Sequence, residues 1–107
     1  MNIENMKRFV TALRSTNRKQ VRTKICNLDG SCCALGVYAL DILNMTELND
    51  HHAMYEAVCK ELGISPYSVE MWRLVDLNDV IDRETKEYRT FAQIADILEE
   101  RHLLNLE

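Results

Sequence analysis

The sequence predicts an α+β fold: a single, mostly helical domain of four to five helices carrying a small β-hairpin. Three observations lead there. Apolar residues recur at helical spacing in several separate stretches; one stretch, residues 20–26, changes to a period of two; and an Asp-Gly pair follows that stretch. The chain has 107 residues, 47% of them apolar and 28% charged, with one Pro. That composition suits one packed domain over residues 1–107 and not a disordered tail.

Ile3, Met6, Val10 and Leu13 predict a first helix over residues 3–14, with Asn2 as its N-cap and Glu4, Lys7, Arg8 and Arg14 on its outer face. In the segment 20–26, Val21, Thr23 and Ile25 alternate with Gln20, Arg22 and Lys24, which predicts a half-buried strand with a basic outer row. Asn27-Leu28-Asp29-Gly30 is a turn signal, because Asp-Gly accepts the positive φ that hairpin turns require. A second short strand would then run from Ser31 to Cys33. Leu35, Tyr38, Ala39, Ile42 and Leu43 restore helical spacing in a central buried helix. Gly36, costly inside a helix, points to a close approach of another backbone or to a strand-to-helix corner.

Met54, Ala57, Val58 and Leu62 predict the next helix, and Gly63 its left-handed C-terminal stop. Ser65-Pro66 predicts a restart, Ser as N-cap and Pro in the first turn, with Val69, Trp72 and Leu77 on the buried side. Residues 78–89 are polar and include an exposed loop. Thr90 with Gln93 is a capping box, and Phe91, Ile94, Ala95 and Leu98 give the last helix its apolar face.

The longest apolar run, Cys32 to Leu40, has nine residues, and a membrane span needs about 20. The opening residues lack the continuous apolar core of a signal peptide, so a cytoplasmic location is expected. The four cysteines then read as free thiols, and as small buried hydrophobes by default. With His51 and His52 they have no paired short spacing of a zinc site, so no metal and no cofactor is expected. Asp76, Asn78 and Asp82 lack the central Gly and terminal Glu of a calcium loop. A helix start at Cys32-Cys33 would lower a thiol's pKa, but no base is placed beside it, so catalysis is not expected.

Charge is uneven. Residues 1–24 hold seven basic groups against one acid, a local charge of +6, and the other 83 residues hold six against sixteen, a local −10. Either the basic block is a binding face or folding brings the two ends together to neutralise each other. On the first reading Arg18, Lys19, Arg22 and Lys24, with Gln20 among them and Arg14 behind, grip an anionic group; Arg forks suit carboxylate or phosphate. Asn78-Asp79 could orient a ligand or partner, although turn and cap roles are commoner for such pairs. Residues 57–75 fit a helix-turn-helix mask with Gly63 at the turn, but the second helix offers only Arg73 to a phosphate backbone, and Tyr67 and Trp72 read as core or half-buried.

The segments ALRS (12–15), Lys19-Gln20, CCALGV (32–37), LG (62–63), Leu74-x-x-Leu77-Asn78-Asp79 and F-x-x-IADILE (91–99) occur in an order that resembles a family of small bacteriophage and prophage proteins. The chain departs from that pattern after Gln20, where a Gly-rich stretch is typical, and in a longer 80–89 loop. The resemblance implies a phage-encoded accessory protein acting in the bacterial host cytoplasm, with no catalytic residues to carry over. The leading expectation is a non-enzymatic binding protein that inhibits a host antiviral-defence component by protein–protein contact. Two alternatives stand beside it: a sponge for an anionic nucleotide signal held by Arg and Lys near the Cys32-Cys33 helix start, and a helix-turn-helix DNA regulator. A homodimer is left open.

Overall fold

The structure is a computed structural model that describes residues 1–103. Its elements are α1 (Ile3–Ser15), α2 (Ala34–Val37) continued by a π-helical segment (Tyr38–Ile42), α3 (His51–Leu62), α4 (Val69–Asp79) and α5 (Phe91–Leu98), which a second π-helical segment (Glu99–Leu103) extends. No strand forms among the described residues, so the predicted hairpin is a correction: the fold is helical.

The physical reason lies at Thr23, whose φ of 70° takes the backbone out of the extended conformation in the middle of the period-two stretch. The chain instead wraps residues 19–27 around the segment 31–33. Cys32 N–H donates to the Lys19 carbonyl (2.9 Å) and its carbonyl accepts from Val21 N–H (2.9 Å), while Cys33 N–H donates to the Ile25 carbonyl (2.8 Å). The result is two isolated bridges, Gln20 with Cys32 in parallel and Cys26 with Cys32 antiparallel. The turn itself forms as predicted: Gly30 has φ 87° and its N–H donates to the Asn27 carbonyl at 3.0 Å.

Several helix ends follow directly from the local sequence. Asn2 Oδ1 accepts from Asn5 N–H at 2.9 Å and starts α1. The Thr90–Gln93 capping box forms with both of its hydrogen bonds. Gly63 ends α3 in the left-handed region, as predicted. That end abuts the start of α1, where Asn2 N–H donates to the Leu62 carbonyl (2.7 Å) and Asn5 Nδ2 to the Glu61 carbonyl (2.7 Å). The start of α4 is a second correction. Ser65-Pro66 makes a turn, and the cap is Ser68, whose Oγ accepts from Met71 N–H (3.3 Å).

The core joins the inner faces of all five helices, with Met6, Phe9, Val10 and Leu13 of α1 against the wholly buried Leu35–Leu40 stretch and Ile94, Ala95 and Leu98 of α5. Phe9 meets Tyr38 edge to face at 5.6 Å. Gly36 has the predicted role: a Cβ there would overlap the Ile25 carbonyl oxygen and stand 2.5 Å from Cys32 Cβ, so only glycine lets α2 lie on the wrapped loop. The predicted buried side of α4 is a third correction. Met71, Leu74 and Asn78 face inward, Leu77 is half-buried, and Val69 and Trp72 face solvent. Among the described residues no helix is long and apolar enough to cross a membrane.

Candidate functional site

The basic residues of the N-terminal quarter do not form one row, because each is drawn to a different neighbour. Arg14 reaches across to α5, with Nη1 on Glu99 Oε2 (2.6 Å) and Nη2 on Asp96 Oδ1 (2.8 Å); these hydrogen bonds, Asp96 first, raise its already high pKa. Arg18 donates through Nε to Asp41 Oδ1 (2.8 Å) and through Nη1 to the Gly30 carbonyl (3.1 Å), pinning the turn to the π-helical segment. The Arg22 guanidinium carbon lies 3.9 Å from the centre of the Tyr88 ring. Lys19 and Lys24 are exposed. Folding therefore pairs much of the basic block with acids of the later chain, the second of the two readings of the charge asymmetry.

Gln20, Asn78 and Asp79 converge, but on each other and on backbone. Asn78 is 2% exposed and lies at the centre. Its Oδ1 accepts from Gln20 Nε2 (2.9 Å) and Ala34 N–H (3.0 Å), and its Nδ2 donates to the Val21 carbonyl (2.9 Å) and to Asp79 Oδ1 (2.8 Å). Asp79 Oδ1 also accepts from Thr23 N–H (3.1 Å), and Gln20 Nε2 also donates to the Arg89 carbonyl (2.9 Å). The hydrogen-bonding capacity of the Asn78 amide is thus filled inside the fold. The three side chains stitch the end of α4 to the wrapped loop and to the start of α2.

All four cysteines are buried and free. Cys33 is the N-cap residue of α2, yet burial overrides the helix start: it pushes the Cys33 thiol up to about 11 and the Cys32 thiol up to about 12. The expected lowering of a thiol pKa at this helix start is corrected accordingly. His52 lies on α3 with Nε2 3.0 Å from Glu56 Oε1. Among the described residues no three His, Cys, Asp or Glu side chains converge as a metal site. Two open hollows flank α1. One, of about 550 Å³, is bounded by Ser15, Asn17, Arg18 and Asp41, and the other, of about 380 Å³, by Glu4, Lys7, Arg8 and Ile42. Both are shallow and floored by the outer surface of α1.

The surface that sequence reasoning missed is the outer face of α4. Tyr67 is 87% exposed, Val69 63% and Trp72 69%, and Arg73 stands beside them, with Glu70 and Asp76 on the same solvent side. The signal was present in the composition of the helix. Six of its eleven residues are apolar (Val69, Met71, Trp72, Leu74, Val75 and Leu77), more than one face can bury. The side chain with the strongest inward claim is Asn78, whose partners lie on the loop and α2, and its placement turns Val69 and Trp72 outward. Tyr67 is carried on the 65–68 turn, where Tyr55 Oη donates to the Pro66 carbonyl at 2.5 Å and fixes the turn to α3. Compared with family models, curated proteins and solved structures, the chain has no match.

Proposed function

We propose that the protein is a non-enzymatic binding protein that docks a protein partner on the outer face of α4 and the turn before it. The observation that carries this is the exposure of Tyr67, Val69 and Trp72, three large apolar side chains left in water by the turn and by a helix that packs Met71, Leu74 and Asn78 inward. Trp and Tyr are the residue types that most often dominate interface energetics, and clustered apolar side chains on a soluble protein mark interaction sites. Arg73, Glu70 and Asp76 supply a polar rim around them.

The class of partner follows from the resemblance to small phage and prophage proteins: a bacterial host protein, a component of antiviral defence, met in the host cytoplasm and blocked by contact. The engagement of Arg18 with Asp41 and Gly30 argues against the nucleotide sponge, since an anion would have to displace both. Glu70 and Asp76 beside Arg73 on the second helix argue against duplex DNA, which repels acids.

The test uses Trp72 as its own probe, since the chain has one tryptophan. Tagged wild-type protein is used to capture a partner from bacterial lysate, the partner is purified, affinities of wild type and variants are measured by titration calorimetry, and the Trp72 emission is read in the wild-type complex. A blue shift on binding and a loss of affinity of about 30-fold in Trp72→Ala, the scale of an interface hot spot, are expected. An unshifted emission with unchanged affinity in Trp72→Ala and Val69→Ala removes the reading. Binding to duplex DNA or to a cyclic nucleotide in place of a protein transfers the assignment to one of the alternatives.

A further inference from the structure

Two of the buried cysteines are paired, backbone to backbone, across the turn that replaces the hairpin. Asn27 N–H donates to the Ser31 carbonyl (2.8 Å) and Cys33 N–H to the Ile25 carbonyl (2.8 Å), and between these bonds Cys26 and Cys32 form an antiparallel bridge. Cys32 directs its own N–H and carbonyl away from Cys26, to Lys19 and Val21. Cys26 and Cys32 are therefore the narrow, non-hydrogen-bonded kind of antiparallel pair, with Cα atoms about 4.5 Å apart and side chains on the same face. A disulfide needs Cα atoms about 4.4 to 6.8 Å apart, so this pair meets the condition with its backbone in place. The other thiols do not. Cys33 is the N-cap residue of α2, and Cys59 lies on α3.

We propose that Cys26 and Cys32 are a redox modification site, oxidised to an intramolecular disulfide by a low-molecular-weight disulfide such as oxidised glutathione. One thiol loses its proton and attacks the oxidant, forming a mixed disulfide and releasing one reduced thiol. The second thiol, also deprotonated, attacks the protein sulfur of that mixed disulfide and releases the other. The two cysteines together lose two protons and two electrons, and the oxidant takes both pairs as two molecules of reduced thiol.

Access comes from the turn. Both sulfurs are buried, Cys26 Sγ against the Leu48 carbonyl (3.2 Å) and Met54 Sδ (3.7 Å), but the residues joining them include the exposed Leu28 and Asp29 at the surface. Arg18 holds the turn closed through the Gly30 carbonyl, and it is also the cation that favours the thiolate at both cysteines. Opening of this turn is the motion the reaction requires, because both sulfurs lie in the core while it is closed. Burial holds both thiols protonated when it is closed, so the reaction is slow and limited by opening. Oxidation then ties the two ends of the turn together, and this proposal stands apart from the α4 surface.

The wild-type chain is incubated with oxidised glutathione and its intact mass is taken; it is then alkylated under denaturing conditions and cleaved with trypsin and an Asp-specific protease, which separates residues 25–28 from the peptide that begins at Asp29. The proposal expects a loss of about 2 Da per molecule and a covalent link between those two peptides. The link is expected to persist in Cys33→Ser and Cys59→Ser and to vanish in Cys26→Ser and Cys32→Ser. No mass loss, glutathione adducts alone, or a link that survives Cys32→Ser overturns it. The peptide that begins at Asp29 carries both Cys32 and Cys33, and its fragmentation shows which of the two is linked and which is alkylated, so the wild-type map decides the matter even where a variant fails to fold.

Discussion

Asn78→Ala tests the claim that a single buried amide joins the end of α4 to the wrapped loop. The substitution removes four hydrogen bonds. Two of the four partners keep another bond: Gln20 Nε2 retains the Arg89 carbonyl and Asp79 Oδ1 retains Thr23 N–H. The remaining two, the buried Ala34 N–H and the part-buried Val21 carbonyl, lose the Asn78 partner. Each such orphan costs about 1–3 kcal/mol, so the variant should lose about 3 kcal/mol, a large share of a small domain's stability and a fall in Tm of about 15 °C. Asn78→Asp sharpens the test. It keeps the acceptor for Ala34 and Gln20 but loses the donor to Val21 and places a carboxylate against Asp79. Burial and that neighbour raise the folded pKa of the new carboxyl above its unfolded value near about 4. The interactions that favour the protonated form are then fully present below about pH 4 and lost as pH rises through the folded value, so the deficit relative to wild type should be largest at pH 7 and shrink on acidification. Urea unfolding followed by far-UV circular dichroism measures both. An Asn78→Ala variant within about 1 kcal/mol of wild type, or an Asn78→Asp deficit independent of pH, would refute the reasoning.

Other outcomes follow from the same packing. Gly36→Ala should destabilise by about 3 kcal/mol or more, measured by denaturant unfolding, because the new methyl meets the Ile25 carbonyl and Cys32 Cβ, neither of which can swing away. Raising the pH should unfold the protein. The Cys32 and Cys33 thiols ionise at about 12 and about 11 in the fold against 9.0 when unperturbed, so their stabilisation is intact below pH 9 and is lost above it. By pH 11 the two together cost about 5 kcal/mol, and a pH titration by circular dichroism should show unfolding in that window. Trp72→Ala should leave Tm within about 2 °C of wild type, since an exposed side chain carries little folding energy. Arg14→Ala should lower Tm in low salt and by less in 1 M salt, because both of its acidic partners sit in water.

What was legible in the sequence was what neighbouring residues decide. The Asn2 cap, the Thr90–Gln93 box, the Gly63 stop and the Gly30 turn each depend on atoms within a few positions, and each formed as read. The close backbone approach at Gly36 was also legible, as the residue type left no cheaper explanation for a glycine in a helix. The hairpin was not. The alternation from Gln20 to Cys26 is real, but two of its backbone groups, the Val21 carbonyl and Thr23 N–H, are bonded by Asn78 and Asp79, more than fifty residues away, and these favour a wrapped loop with Thr23 in the left-handed region. Trp72 failed for a related reason. A helix with apolar residues on two sides does not say which side faces in, and a polar residue with fixed partners settled it.

The charge asymmetry is the argument for placing the proposed docking surface on α4 and not on the basic block. A chain with a positive first quarter and a negative remainder gains by folding the one onto the other, and Arg14 and Arg18 do so against Asp96, Glu99 and Asp41. A guanidinium already held by a carboxylate is a weaker handle for an outside anion, which must first break that pair. Lys19 and Lys24 stay exposed, but a strongly hydrated ammonium on a flexible stem steers a partner more than it holds one. Holding requires area removed from water and rigid side chains that lose little freedom on contact. Tyr67, Val69 and Trp72 offer both on a turn and a helix whose end is anchored by Asn78, so the proposed recognition rests on apolar surface with charge at its edge.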